Sequence, residues 1–102
     1  MATRASIEMD FNLAKNQAAR LEELADRLRG LSDNRFGGTL NNISSNWKGE
    51  NASAYLSKGS KLQNKMDRSS SELYQIASDI RLMAKRIYDA EMANLLIAET
   101  RD

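Results

Sequence analysis

Three carboxylates in one short stretch, Glu22, Glu23 and Asp26, are the first residues of this chain whose type and spacing suit chemistry. Paired carboxylates do acid–base work when burial drives their pKa values apart. Here Arg27 lies four residues after Glu23, the spacing of a favourable helical ion pair on an exposed face. No nucleophile, glycine-rich phosphate loop or metal-ligand set accompanies the acids, and Gly37-Gly38 lacks both the spacing and the lysine of a P-loop. The chain has no His and no Cys, so imidazole chemistry, thiol chemistry and a structural zinc site all lack their residues. The expectation is a protein without catalytic residues, metal, cofactor or small-molecule substrate: not an enzyme.

The second chemical pattern is a basic stripe, Lys58, Lys61, Lys65 and Arg68, spaced to share one helix face. Four cations in a row suit phosphate contacts. However, 15 basic against 14 acidic residues leave a net charge of +1, and no aromatic side chain interleaves with the stripe to stack on bases. A solvated face or an acidic protein partner is the expectation, and nucleic acid is not.

The elements that carry these residues are helical by composition. Pro, Cys, His and Val are absent, and threonine occurs only at Thr3, Thr39 and Thr100, so strand-favouring residues are nearly missing. In the first half Ile7, Phe11, Ala14, Ala18, Leu21, Ala25 and Leu28 follow alternating steps of four and three, a heptad seam whose alanines let a partner helix approach closely. Leu28 to Phe36 is then a step of eight in a region holding Gly30, Gly37 and Gly38, which predicts a weak or bent helix there. The seam resumes at Phe36, Leu40, Ile43 and Trp47.

The second half keeps the alternation through Ala52, Tyr55, Gly59, Leu62, Met66, Ser69, Leu73, Ile76, Ile80, Met83, Ile87 and Ala90. Helix 1 is expected over about 6–45, a turn over about 46–50 and helix 2 over about 51–97. The two helices would run roughly 60 and roughly 70 Å at ~1.5 Å per residue. Matched lengths predict an all-α fold, an antiparallel two-helix hairpin forming a single domain. One hairpin seam leaves Leu13, Leu24, Leu31, Leu56, Leu82, Leu95 and Leu96 on open edges, so the hairpin is expected to dimerise into a four-helix bundle. Met66, Met83 and Met92 suit core filling or an adaptable partner face.

Between the helices stands Asn46-Trp47-Lys48-Gly49-Glu50-Asn51, with the only tryptophan of the chain. Gly49 suits a backbone reversal, Asn51 can cap the next helix, and Trp47 would lie as an apolar lid on the end of the bundle. A chain of about this length, with Trp-x-Gly midway between two heptad-patterned helices and no Pro or Cys, resembles the WXG family of ESAT-like proteins across nearly its whole length. The resemblance casts Trp47 and Gly49 as the family's turn. It implies a dimeric hairpin exported, folded and without a cleaved signal, by type VII (ESX) secretion.

That export route accords with the N-terminus, where Arg4 is the only positive charge before Asp10 and no apolar run follows, so neither a signal peptide nor a membrane span is expected. The resemblance also implies a tail signal, Tyr-x-x-x-Asp/Glu, presented to the secretion ATPase. This chain departs from it: Tyr55, Tyr74 and Tyr88 are followed four residues later by Gly59, Ser78 and Met92. Tyr88 with Glu91 is one residue short, and Leu95 with Glu99 has the spacing without the aromatic ring. These four are candidates for a degenerate export signal. The commoner reading of Leu95, Leu96 and Ile97 is an amphipathic helix end or a partner contact.

The missing signal favours pairing with another WXG-like chain or a larger effector that supplies it, although a homodimer stays open. The expectation is a secreted partner or chaperone of another exported protein, in virulence or interbacterial competition. The alternative is a cytoplasmic helical adaptor or assembly subunit whose Trp-Gly turn is coincidental.

Overall fold

A computed structural model describes residues 2–47 and 49–101. Within them the chain is almost entirely helical and contains no strand: α1 spans Arg4–Gly30, a π-helical segment Leu31–Phe36, α2 Gly37–Asn46 and α3 Glu50–Glu99. Two long helical stretches joined by a short connection are consistent with a helical hairpin. Thr3 opens α1 with a reciprocal cap: its amide donates to the Ser6 hydroxyl (2.9 Å) and its own hydroxyl accepts from the Ser6 amide (3.1 Å).

The π segment occupies the place where the apolar pattern slips. A π turn holds about one residue more than an α turn, so it absorbs the extra residue in the eight-residue step from Leu28 to Phe36. Its register is visible in the bond from the Gly37 amide to the Ser32 carbonyl, five residues back. Ser32, at the midpoint of that step, is fully buried and continues the seam with a polar side chain that hydrophobic patterning passes over.

By its internal contacts the chain divides into two compact units. Unit one comprises Met1–Glu22 and Gln75–Asp102, and unit two comprises Glu23–Tyr74. Within each, the two helical arms run antiparallel. In unit one Phe11 meets Tyr88 and Glu22 meets Arg81, so residue numbers fall on one arm as they rise on the other. In unit two Ala25 meets Ser70 and Ser32 meets Asp67 and Gln63.

The buried line consists mostly of small residues. Ile7, Ala18, Ala77 and Ala84 form it in unit one, and Ala25, Ser32, Ala52 and Ser70 in unit two. On α1 this is the predicted seam, with Phe11, Ala14, Leu21 and Leu28 half-buried between the fully buried positions. On α3 every second predicted seam residue up to Ile80 lies on the line, and Met83, Ile87 and Ala90 beyond it are all exposed. Gly59, Met66, Leu73 and Ile80 are half-buried, whereas Leu62 is 48 % and Ile76 47 % exposed, with Tyr55, Met83 and Ile87 more exposed still. The line runs one residue later, through Leu56, Gln63, Ser70, Ala77 and Ala84.

The physical reason is helix separation. Alanine and serine on α3 facing the alanines of α1 let the two backbones approach closely, and β-branched or long side chains in that narrow seam would hold them apart. Gly59 makes the same point in unit two: a Cβ built there would stand 2.3 Å from Leu40 Cδ2, so the glycine is what lets Leu40 pack against the α3 backbone.

Candidate functional site

In the connection, the Trp47 amide closes α2 on the Ile43 carbonyl (2.9 Å), and Trp47 itself is extended, with φ −108° and ψ 138°. Gly49 has φ 107°, in the half of backbone space that L side chains rarely enter, and its carbonyl accepts the Ser53 amide at 3.2 Å. Lys48, within the predicted turn 46–50, lies outside the described residues.

Two details of this turn differ from expectation. Helix α3 begins at Glu50, so Asn51 sits inside the first turn, and Gly49 holds the capping position. Trp47 is 54 % exposed and is no buried lid; its indole meets the Tyr55 ring edge-on at 6.1 Å between centroids and 87° between planes. An edge-on aromatic pair on the surface leaves much of both rings in contact with solvent.

Within each unit the flanks of the seam differ in chemistry. Residues directly after a seam position carry the polar contacts between the arms. In unit one Arg81 Nη2 donates to Glu22 Oε1 at 2.6 Å, which raises the Arg81 pKa above its ordinary value. On the same flank Lys15 Nζ sits 4.6 Å from the Phe11 ring centre and Lys85 Nζ 5.9 Å from that of Tyr88. In unit two the Tyr74 hydroxyl donates to Asp26, and Arg29 donates to the Ser71 hydroxyl (3.1 Å) and the Asp67 carbonyl (3.4 Å).

Buried polar groups behind this flank are satisfied. The Ser70 hydroxyl donates to the Ala25 carbonyl (2.9 Å) and that of Ser32 to Asp67 Oδ1 (2.8 Å), while Gln63 Nε2 donates to the Ser32 carbonyl (3.1 Å). The carboxylate cluster therefore has a structural use: Glu22 and Asp26 tie α1 to α3. No ion pair joins Glu23 to Arg27 among the described residues.

Residues directly before a seam position carry exposed apolar side chains, of which Tyr55 meets Trp47. In unit one these are Leu13, Ile76, Met83 and Ile87, and in unit two Leu24, Leu31, Tyr55 and Leu62, all exposed. The residue before a seam position points about 100° from it, at ~3.6 residues per turn. In an antiparallel pair that offset turns both arms' side chains to the same side, so within each unit they form one apolar face opposite the polar contacts. Leu82 and Leu96 are also exposed, whereas Leu56 and Leu95, expected on open edges, are half-buried. Leu13, Leu24 and Leu31 are on the open edge expected of them, whereas Tyr55, Leu62, Ile76, Met83 and Ile87 of α3 were expected in the seam and lie on this face instead. The alanine and serine at every seventh position, Ser70, Ala77 and Ala84, are the signal that marks the true line.

The candidate export-signal residues are in part engaged by the fold. The Tyr88 ring packs on Phe11 at 4.7 Å between centroids, and Tyr88, Glu91 and Leu95 are half-buried while Glu99 is exposed. Tyr88 and Glu91 line a groove of about 260 Å³ with Ile7, Asp10, Phe11 and Ile87. Glu91 and Leu95 line a second of about 250 Å³ with Ala2, Asn94 and Ala98. Lys58, Lys61, Lys65 and Arg68 are all exposed in unit two, without an ion pair among the described residues.

Among the described residues no group of His, Cys, Asp or Glu is placed to hold a metal ion, and no helix is long and apolar enough to cross a membrane. No protein-family model, curated protein or solved structure matches the chain.

Proposed function

We propose that this chain is a non-enzymatic helical-hairpin protein of the WXG type. In this reading it dimerises into a four-helix bundle, is exported by a type VII (ESX) secretion system, and acts as a dimeric substrate and as partner or chaperone of another exported protein such as a toxin. The observation that carries the reading is the Trp47-x-Gly49 reversal, with Gly49 at φ 107° between two long helical stretches. The exposed apolar face supports the dimeric part, because rows of half-exposed Leu, Ile and Met on adjacent helices mark a surface that a partner covers. Contacts with the secretion ATPase would fall to the C-terminal part of α3, where Leu95 and Glu99 share a face.

One observation favours a second reading, a cytoplasmic helical adaptor. Tyr88, the aromatic nearest the C-terminus, packs its ring against Phe11 and is half-buried, so the fold already engages part of it. Fractionation of the native host separates the two. Appearance in the medium that depends on the type VII ATPase is the expected result, and the paired question is which chain supplies the signal. Retention in the pellet with and without the ATPase, while another substrate is exported, would overturn export in favour of the adaptor.

A further inference from the structure

In unit two the polar flank is bonded from arm to arm by Tyr74 to Asp26, by Arg29 to Ser71 and last by Gln63 to the Ser32 carbonyl. Along α2 that bonding stops. The side-chain hydrogen bonds of α2, Thr39 to the Arg35 carbonyl and Asn46 to the Asn42 carbonyl, stay within its own arm, and none crosses to α3 among the described residues. The flank nevertheless stays polar: Asp33, Asn41 and Ser44 directly follow Ser32, Leu40 and Ile43 on the seam, and Ser60 directly follows half-buried Gly59. None of these four side chains has a hydrogen bond or ion pair among the described residues. They line one groove of about 420 Å³ between the arms, together with Gly37, Leu40, Leu56 and Gln63.

The lining defines what would fit. A Cβ at Gly37 would stand 3.2 Å from Gln63 Nε2 and 3.3 Å from the Ser32 carbonyl oxygen, so the glycine leaves room for the Gln63 amide to reach that carbonyl at 3.1 Å. This bond fixes the Gln63 amide and leaves its Oε1 to accept. With the Asp33 carboxylate and the Asn41 carbonyl oxygen, acceptors predominate in the groove, while the hydroxyls of Ser44 and Ser60 can donate or accept. No Lys or Arg lines it, which disfavours a phosphate or carboxylate ligand, and Asp33 is its single charge. Leu40 and Leu56, both half-buried, add an apolar patch beside the polar groups. A ligand that donates many hydrogen bonds, carries no net charge and has an apolar C–H face is a sugar, whose adjacent hydroxyls donate in pairs to carboxylate and amide oxygens.

We infer that this groove is a binding site for a short neutral saccharide, which bridges α2 and α3 where the chain's own side chains do not. The π turn places Asp33 and Gly37 at the site, in keeping with the frequent occurrence of π turns at functional positions. No residue of α2 is fully buried, so this arm has room to adjust around a ligand. The site is separate from the export and dimer readings, and the failure of either leaves it intact.

Proton–nitrogen correlation NMR of the isotope-labelled full chain tests it, with maltotriose, chitotriose and xylotriose as probes of three different hydroxyl patterns. At least one of them is expected to shift the amides of Asp33, Gly37, Asn41 and Gln63 saturably, with a Kd of about 1 mM. Asp33→Asn keeps the shape of the side chain and removes its charge, and is expected to weaken that binding about tenfold; Ser60→Ala should weaken it by about threefold or more. Both positions are exposed, so both variants should fold as the wild type does. Glu72→Gln alters an exposed acid of unit two that does not line the groove, and it should bind the sugar like wild type. The absence of saturable shifts at these amides with all three sugars would overturn the inference, and so would equal affinity in Asp33→Asn and Glu72→Gln. Tighter, salt-sensitive binding of trilysine at the same amides would also overturn it, because the groove would then be a site for a cation.

Discussion

Gly49→Ala isolates the backbone requirement of the turn from any packing effect. A Cβ at Gly49 would meet nothing within 4 Å, so the substitution creates no clash, and what remains is the strain of an L residue at φ 107°. That strain is about 1–3 kcal/mol, offset by about 0.4–1 kcal/mol because alanine restricts the unfolded chain. A net loss of about 1–2 kcal/mol follows.

Gly38 is the internal control. It also has open space around its Cβ position, but it lies in α2 at negative φ, so Gly38→Ala should stabilise by about 0.5–1 kcal/mol. The two variants should thus differ by roughly 2 kcal/mol, or about 10 °C in Tm for a chain of this size. Thermal unfolding followed at the helical circular-dichroism band measures this, at one protein concentration throughout because association shifts Tm. If Gly49→Ala melts at or above Gly38→Ala, the positive-φ argument is refuted, and with it the assignment of this glycine to the reversal.

Trp47→Ala should cost about 1–2 kcal/mol, less than the ~3 kcal/mol expected of a buried indole, because only about half of the ring is covered; in the wild type its fluorescence should be readily quenched by acrylamide. Ala77→Leu should lose about 1–3 kcal/mol by overpacking a fully buried position. Ile76→Ala, one residue away but half-exposed, should lose under about 1 kcal/mol in dilute, monomeric samples. Urea titrations of this pair check the one-residue shift of the seam, and the reverse ranking would restore Ile76 to the core. Ser70→Ala removes the buried bond to the Ala25 carbonyl and should cost about 1 kcal/mol by the same titration.

Much of the fold was legible in the sequence because helix formation is local. The missing Pro and Val, the heptad of α1 and the glycine after the tryptophan each act within a few residues of themselves, and the eight-residue step after Leu28 marks where the helix must change its winding. The α3 seam was less legible. Leu62 and Ile76 are more hydrophobic than Gln63 and Ala77, and by patterning alone they claim the core.

Which of two adjacent rows faces α1 is decided by how closely the helices pack. Close approach rewards the small row at Ser70, Ala77 and Ala84 and turns the large row outward, where a partner can cover it. The exposure of Trp47 and the stacking of Tyr88 on Phe11 likewise depend on residues distant in sequence, Phe11 lying on α1 and Tyr88 near the end of α3. The sequence by itself determined that the chain is helical, where it turns and where its winding slips, since these follow from local propensity and backbone geometry. Only the tertiary structure decided which apolar residues are buried and which remain on the surface, because burial depends on the separation of two helices and not on the hydrophobicity of either one.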